Sequence, residues 1–238
     1  MTFAEIMQLK GTEAGLNFTV RQLEQFSAYY ELLVETNKVM NLTAITEPEE
    51  VAVKHMIDSL LAFDAKLFNE KTLADVGTGA GFPGIPLKIY CPSLKVTLID
   101  ALAKRLKFLE TVIDALELKG IRCVHLRAED AGRDLQHREK YDLVTARAVA
   151  RLSVLAEYCL PLVKTGGSFI ALKGSKYQEE ISVAGKALQI LGGRLVSAEA
   201  VKLPGLDDGR AIVKIAKIKT TPKAYPRKAG LPDKQPLE

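Results

Sequence analysis

The sequence predicts an α/β protein: a mostly parallel sheet of seven strands that ends in an antiparallel hairpin and is preceded by a helical cap. Three observations predict it. From Thr72 onward, short apolar runs bounded by turn residues alternate with amphipathic helical stretches. That is the pattern of strands buried on both faces and joined by right-handed crossovers. The last two runs, Arg194–Lys202 and Arg210–Lys217, flank the turn-rich segment Leu203–Gly209 and read as a hairpin. No strand pattern precedes residue 72, so the first 70 or so residues read as helical.

In the cap, Thr19 to Asn41 reads as an amphipathic helix. Thr19 and Gln22 have capping-box spacing, and Val20, Leu23, Phe26, Tyr30 and Leu33 recur at helical intervals. A second helix begins near Thr46, with Pro48 and the acids Glu47, Glu49 and Glu50 in its first turn. The expected parallel strands are Leu73–Val76, Val96–Ile99, Cys123–Leu126, Leu143–Ala146 and Ser168–Leu172. A helix with Leu102, Leu106, Leu109, Ile113 and Leu116 on one face separates the second and third, and another spans roughly 178–191. The turn at Leu162–Gly167 is a helix stop. After Thr220, Pro222, Pro226, Pro232 and Pro236 interrupt a segment without periodicity, which reads as an extended tail.

The chain has 238 residues, of which 47% are hydrophobic and 26% charged, enough for one α/β domain with an extension. Cys91, Cys123 and Cys159 form no CxxC pair, and His125 and His137 show no ligand spacing. Neither a disulfide framework nor a metal site is expected. The N-terminus does not read as a signal peptide, and no stretch approaches the roughly 18 apolar residues of a membrane span. These features predict a cytoplasmic protein with no membrane partner, and no protein partner is evident.

The sharpest chemical feature is Asp75-Val76-Gly77-Thr78-Gly79-Ala80-Gly81-Phe82-Pro83-Gly84, directly after the first strand. Glycines let the backbone turn tightly and approach a ligand closely. Dinucleotide folds carry GxGxxG, with a helix end facing a pyrophosphate. Here the form is GxGxG with Asp75 two residues ahead of the first glycine, which suits S-adenosylmethionine (AdoMet). AdoMet has no phosphate, and its methionine end carries an ammonium that an acid helps to hold. Asp100 ends the second strand, 23 residues beyond Gly77. It can accept hydrogen bonds from ribose hydroxyls or cap the helix from Ala101, and both can hold at once. Arg127-Ala128-Glu129-Asp130 follows the third strand, where the adenine would lie, although the run also reads as an ordinary polar turn. Arg147 ends the fourth strand and is placed to face a pocket beyond the sheet, or to form a surface ion pair. His55, Asp58 and Ser59 share a helix face and are expected to contact the catalytic part of the molecule, not to act as a triad. Together these features predict the Rossmann-like class I AdoMet-dependent methyltransferase fold. A cap (residues 1–70), a methyltransferase domain (71–220) and a basic Pro-rich tail (221–238) would follow one another.

The run Asn37-Lys38-Val39-Met40-Asn41-Leu42-Thr43-Ala44, then His55 and Asp58-Ser59-Leu60, precede the glycine loop. Asp100, Lys104-Arg105, Phe108-Leu109, Ala128-Glu129, Arg147-Ala148 and the tail Tyr225-Pro226-Arg227-Lys228-Ala229-Gly230-Leu231-Pro232 follow in order. Over nearly its whole length the chain resembles the small-subunit ribosomal RNA methyltransferase G family, also called glucose-inhibited division protein B. The resemblance implies methylation of guanine N7 in a stem-loop of 16S rRNA near the decoding centre, with free rRNA or the small subunit as partner. It also implies AdoMet contacts at Gly77, Phe82, Ala128, Glu129 and Arg147, beside those read from Asp75, Gly79, Gly81 and Asp100. No general base is expected, because guanine N7 has no proton to lose; Arg147 is the candidate for positioning substrate. An NAD-dependent oxidoreductase and a non-catalytic RNA-binding assembly factor are the alternative readings.

Net charge is +4, but the segment from Lys202 to Lys228 alone carries +6, with eight basic residues against Asp207 and Asp208. Positive charge gathered at one end suggests an anionic partner or a solubilising edge. Lys223, Arg227 and Lys228 are the RNA-binding candidates of this strip.

Overall fold

The computed structural model describes residues 1–238. Seven strands form one sheet in the order β3-β2-β1-β4-β5-β7-β6. They are β1 (Thr72–Val76), β2 (Lys95–Asp100), β3 (Ile121–His125), β4 (Tyr141–Arg147), β5 (Val163–Lys173), β6 (Gly193–Val201) and β7 (Arg210–Lys217). β1 to β5 pair in parallel, while β7 runs antiparallel to both β5 and β6. The expected strands are all present, most with an extra residue or two at the ends. β5 starts earlier than expected, at Val163, so Lys164–Gly167 belongs to the strand and its pairing with β4 shifts register between Tyr141 and Leu143.

Successive strand residues face opposite sides of the sheet, and the two cores divide accordingly. Leu73, Leu98, Leu143, Ile170 and Ile212 pack on one face, against the N-terminal helices, α6 (Gly84–Tyr90) and α7 (Ala103–Ala115). Their neighbours Ala74, Ile99, Val144, Ala171 and Val213 pack on the other, against α9 (Leu152–Cys159) and α10 (Tyr177–Leu191). Both faces of the inner strands are covered, which is why these read as unbroken apolar runs, while the edge strands β3 and β6 are partly exposed.

The cap is helical, as expected, but has two more helices than the sequence suggested, one before the first and one after the second. α1 (Phe3–Glu13) starts with a capping box from Thr2 to Glu5. Its Phe3 ring stacks on Tyr30 of α2 (Val20–Asn37) at 4.2 Å between centroids. Thr19 and Gln22 form the capping box anticipated at the start of α2. That helix stops at Asn37, four residues early, because the Asn37 side chain turns the chain. Its Oδ1 accepts from the Leu42 and Thr43 N–H groups at 2.8 and 3.0 Å, and its Nδ2 donates to the Thr43 carbonyl at 3.0 Å. α3 (Pro48–Val51) continues through a π-helical turn (Ala52–Ile57) into α4 (Asp58–Leu60). α5 (Ala65–Phe68) leads into β1. No helix is long and apolar enough to cross a membrane.

The tail is not a free extended segment. It runs back across the body, held by long-range bonds from side chains to its own backbone. Arg138 donates to the Thr221 and Tyr225 carbonyls at 2.7 and 2.8 Å, and Arg133 donates to the Pro226 carbonyl at 2.8 Å. The segment ends in the short α11 (Leu231–Lys234).

Candidate active site

The chain order reverses between β1 and β4, and the crevice beyond the carboxyl ends of those strands is where open α/β sheets bind ligands. The glycine loop fills this place. The Gly77 and Thr78 N–H groups donate to the Ile99 carbonyl of β2 at 2.9 and 3.2 Å, so the loop crosses over the neighbouring strand. Gly77, Gly79 and Gly81 all adopt positive φ. At Gly77 a Cβ would also lie 2.7 Å from a Val149 methyl, so this position requires glycine twice over.

Two adjoining cavities meet at this loop. The larger, about 570 Å³, is lined by Gly77, Asp100, Leu102, Ala128, Glu129 and Tyr158, among others. The smaller, about 240 Å³, is lined by Leu42, Thr43, His55, Gly77–Ala80, Phe82 and Arg147. Gly77, Arg105 and Ala148 border both. Ala148 is held at φ +54, a conformation that costs energy for a residue with a Cβ, at the point where the cavities join.

Asp100 caps α7, one of the two roles its position allowed, and it also holds the glycine loop. Its Oδ1 accepts from the Leu102 N–H at 2.9 Å at the start of α7, and its Oδ2 accepts from the Gly79 N–H at 2.9 Å while the carboxylate borders the larger cavity. Ala128 and Glu129 open the short α8 (Ala128–Ala131) and line the same cavity. Glu129 Oε1 accepts from the Gly230 N–H at 2.8 Å, so the tail forms part of the cavity wall, with Gly230 and Asp233 both lining it.

Arg147 is neither a free pocket residue nor a surface ion pair. Its guanidinium donates to Asp58 at 2.7 Å and to the Lys54 carbonyl at 2.9 Å, and lies 5.0 Å from the Phe82 ring centroid. Asp58 is buried, so this pair ties the cap to the end of β4. His55 lies beside it, its ring 4.7 Å from that of Phe82 and its Nε2 2.8 Å from Thr43 Oγ1. Burial, reinforced by Arg147, lowers the His55 pKa to about 4 and keeps the ring neutral. The expected polar contact of His55 and Asp58 with the sheet is therefore present, and it forms a wall of the smaller cavity.

Asp75 and Gly81 differ from expectation. Neither lines either of these two cavities. Asp75 is fully buried, and its Oδ2 accepts from the Thr78 hydroxyl at 2.6 Å and from the Gly84 N–H at 2.9 Å. It folds the glycine loop onto α6 instead of projecting into the crevice. Its Oδ1 has no partner, and burial pushes its pKa up to about 6. Gly81 lies beneath the cap: a Cβ there would meet the Tyr29 hydroxyl at 2.6 Å. Tyr29 itself donates to the Ala80 carbonyl and stacks on Phe82.

The basic strip is not a continuous surface. Lys217 is buried and donates to the Leu160 and Val163 carbonyls and the Thr221 hydroxyl, with Glu139 at 3.2 Å. Arg227, expected to contact RNA, is ion-paired to the buried Glu157 at 2.6 Å, and its backbone N–H also donates to that carboxylate at 2.7 Å. Arg210 is paired with Asp208, and Lys214 lies near Asp64 and Glu199. Lys223 and Lys228 remain exposed. Sequence reading missed Thr43, Tyr158, Gly230 and Asp233 as cavity residues. For the first and third, a signal was present in the NLT and KAGLP runs, without a reason to bring them to the glycine loop.

A parallel sheet closed by an antiparallel β7, with a GxGxG loop after β1 and an acid ending β2, defines the class I methyltransferase fold. The solved structure of M. jannaschii TYW2 in complex with AdoMet shares this fold, with a TM-score of 0.53 and 19% identity over 68% of this chain and 75% of its own. A family model described as rRNA small subunit methyltransferase G matches residues 22–207. Two proteins named Ribosomal RNA small subunit methyltransferase G are similar over almost the full chain. That of Lactobacillus johnsonii is 51% identical over 98% of this chain and 99% of its own, and that of Ligilactobacillus salivarius 55% identical over 94% and 95%. The chain belongs to the rRNA small subunit methyltransferase G family.

Proposed function

We propose that the protein transfers a methyl group from AdoMet to guanine N7 in a stem-loop of 16S rRNA near the decoding centre, acting in the cytoplasm on free rRNA or the small subunit. The observation that carries the reading is the pair of cavities joined across Gly77, the larger lined by Asp100, Ala128 and Glu129 and the smaller by the glycine loop, Phe82 and Arg147. The residues present fit AdoMet. Asp100 would accept from the ribose hydroxyls, Ala128 and Glu129 would flank the adenine, and Gly77 and Gly79 would admit the methionine end without a Cβ in the way. The unpartnered buried Asp75 Oδ1 lies behind the same loop, where a cationic ligand gains from its negative charge without direct contact.

When bound, AdoMet supplies a methyl carbon on a sulfonium leaving group: the N7 lone pair forms the N–C bond as the C–S bond breaks, and the positive charge passes to the guanine. The chain's task is alignment and exclusion of water, not proton removal. His55, with its pKa lowered to about 4, is a weak base, Asp58 is paired with Arg147, and Asp75 lies behind the loop outside both cavities, which accords with this chemistry. Mass mapping of 16S rRNA from cells lacking the protein tests the reading. One guanine should be lighter by about 14 mass units, one CH2, and added protein with AdoMet should restore it. Calorimetry should show binding of AdoMet and none of NADH. An unchanged rRNA mass map would refute the assignment.

A further inference from the structure

We propose that Tyr158 and Asp233 read the amino edge of the cofactor's adenine, so that the tail beyond β7 supplies part of the specificity for an adenine nucleoside. The inference rests on the AdoMet reading above, in which Asp100 meets the ribose and Ala128 and Glu129 flank the adenine.

Tyr158 and Asp233 line the larger cavity together with Glu129. Three elements bring them there. α9, which carries Tyr158, packs against both α8 and α11. Glu129 of α8 accepts from the Gly230 N–H at 2.8 Å, immediately before α11 begins, and Asp233 follows within that helix. The charges of Glu129 and Asp233 both reach the Tyr158 hydroxyl, so the three polar groups are neighbours on one wall.

They differ in what they can still bind. One oxygen of Glu129 is taken by the tail. The Tyr158 hydroxyl has no hydrogen-bond partner in the chain. Burial, reinforced by Glu129 and Asp233, pushes its pKa up to about 12, so it keeps its proton and donates. Asp233 is exposed at the cavity wall and accepts only. The edge of adenine around C6 presents the complement: an amino donor between two ring nitrogens, N1 and N7, that accept. Asp233 would take the amino proton and Tyr158 would donate to a ring nitrogen beside it. Leu102, 44% exposed and lining the same cavity, offers apolar surface to the face of the ring. A 6-oxopurine would set its carbonyl oxygen against the Asp233 carboxylate, and such a mismatch of polar groups is what a hydrogen-bonding site rejects.

Calorimetry on the full chain tests this with S-adenosylhomocysteine and S-inosylhomocysteine, which carries a 6-oxo group in place of the 6-amino group. The wild type should favour the adenosyl compound at least about tenfold. Asp233→Asn, whose amide can accept or donate, should narrow the preference to about threefold or less by binding the inosyl compound more tightly. Tyr158→Phe should weaken binding of the adenosyl compound about fivefold. A role confined to holding the tail would weaken both compounds equally and leave their ratio unchanged. Tryptic cleavage after Lys228 and Lys234 without ligand should match the wild type in both variants, as expected of a tail that is still docked. Equal affinity of the wild type for the two compounds, or the wild-type ratio in Asp233→Asn, would overturn the role of Asp233. Wild-type affinity for the adenosyl compound in Tyr158→Phe would overturn that of Tyr158. Binding of neither compound by the wild type would overturn the AdoMet reading itself, and so is distinct from either.

Discussion

Asp75 and His55 lie within the field of one guanidinium, that of Arg147, yet burial shifts them in opposite senses. Asp75 rises from 3.8 to about 6, so between those values the folded chain holds a proton that the unfolded chain has lost. That contribution favours folding at the acid side and fades as pH rises through about 6. His55 falls from 6.5 to about 4, so there the unfolded chain holds the extra proton. Its contribution is full above 6.5 and is lost as pH falls through about 4. Over the shared window the two slopes oppose one another. Asp75→Asn, whose amide oxygen can still accept from Thr78 and Gly84, should leave the His55 slope exposed. Its stability relative to wild type should fall by about 3 kcal/mol on going from pH 7 to 4. His55→Gln should show the opposite trend, a relative gain of similar size on acidification. Urea denaturation across that range measures both, and parallel curves for all three proteins would refute the pair of opposed shifts. The smaller cavity's chemistry was only partly legible at this scale. Arg147 could be marked from its place at the end of a strand, but its partner Asp58 lies 89 residues away, and nothing local pairs them.

The tail is the element that departs furthest from its sequence. Strands and amphipathic helices declare themselves by periodicity, which is why all seven strands could be located before any contact was known. The tail has no period and no internal ladder. Its order comes from Arg133, Arg138, Glu139 and Glu157, all far away in sequence. α1 was missed for a related reason: its apolar face is short and makes sense only against α2 and the helix that starts at Pro48. Within the tail, Arg227→Met would leave the buried Glu157 carboxylate without a cation, with only the backbone N–H of residue 227 as partner. The expected loss is about 3–5 kcal/mol, and adding Glu157→Leu should recover most of it. Denaturation midpoints of the single and double variants provide the check. Lys223 and Lys228 are exposed and can be changed without that penalty. If they meet phosphate, replacing both by alanine should weaken RNA binding and reduce the slope of log K against log salt by roughly 0.7–0.9 for each phosphate no longer neutralised. An unaltered slope would leave them as solubilising residues.

At the level of the whole molecule, the cap and the sheet share one core, and the glycine loop lies between them. Gly81 was legible as a required glycine, but the reason was not: its missing Cβ makes room for Tyr29 and Ile85, not for a ligand. Gly81→Ala should therefore displace the loop from below and weaken AdoMet binding at least about tenfold, although residue 81 borders neither cavity. Calorimetry on the folded variant tests this, and unchanged affinity would mean that the cap tolerates the shift.

The bond from the Gly230 N–H to Glu129 joins points 101 residues apart. During translation, the glycine loop and Asp100 are made well before the segment that walls in the Glu129 end of the larger cavity. A nascent chain thus holds an open crevice until the strap beyond β7 has emerged and docked. A polypeptide cut off before residue 230 could assemble its sheet and still fail to retain a cofactor, which separates the timing of folding from the timing of competence.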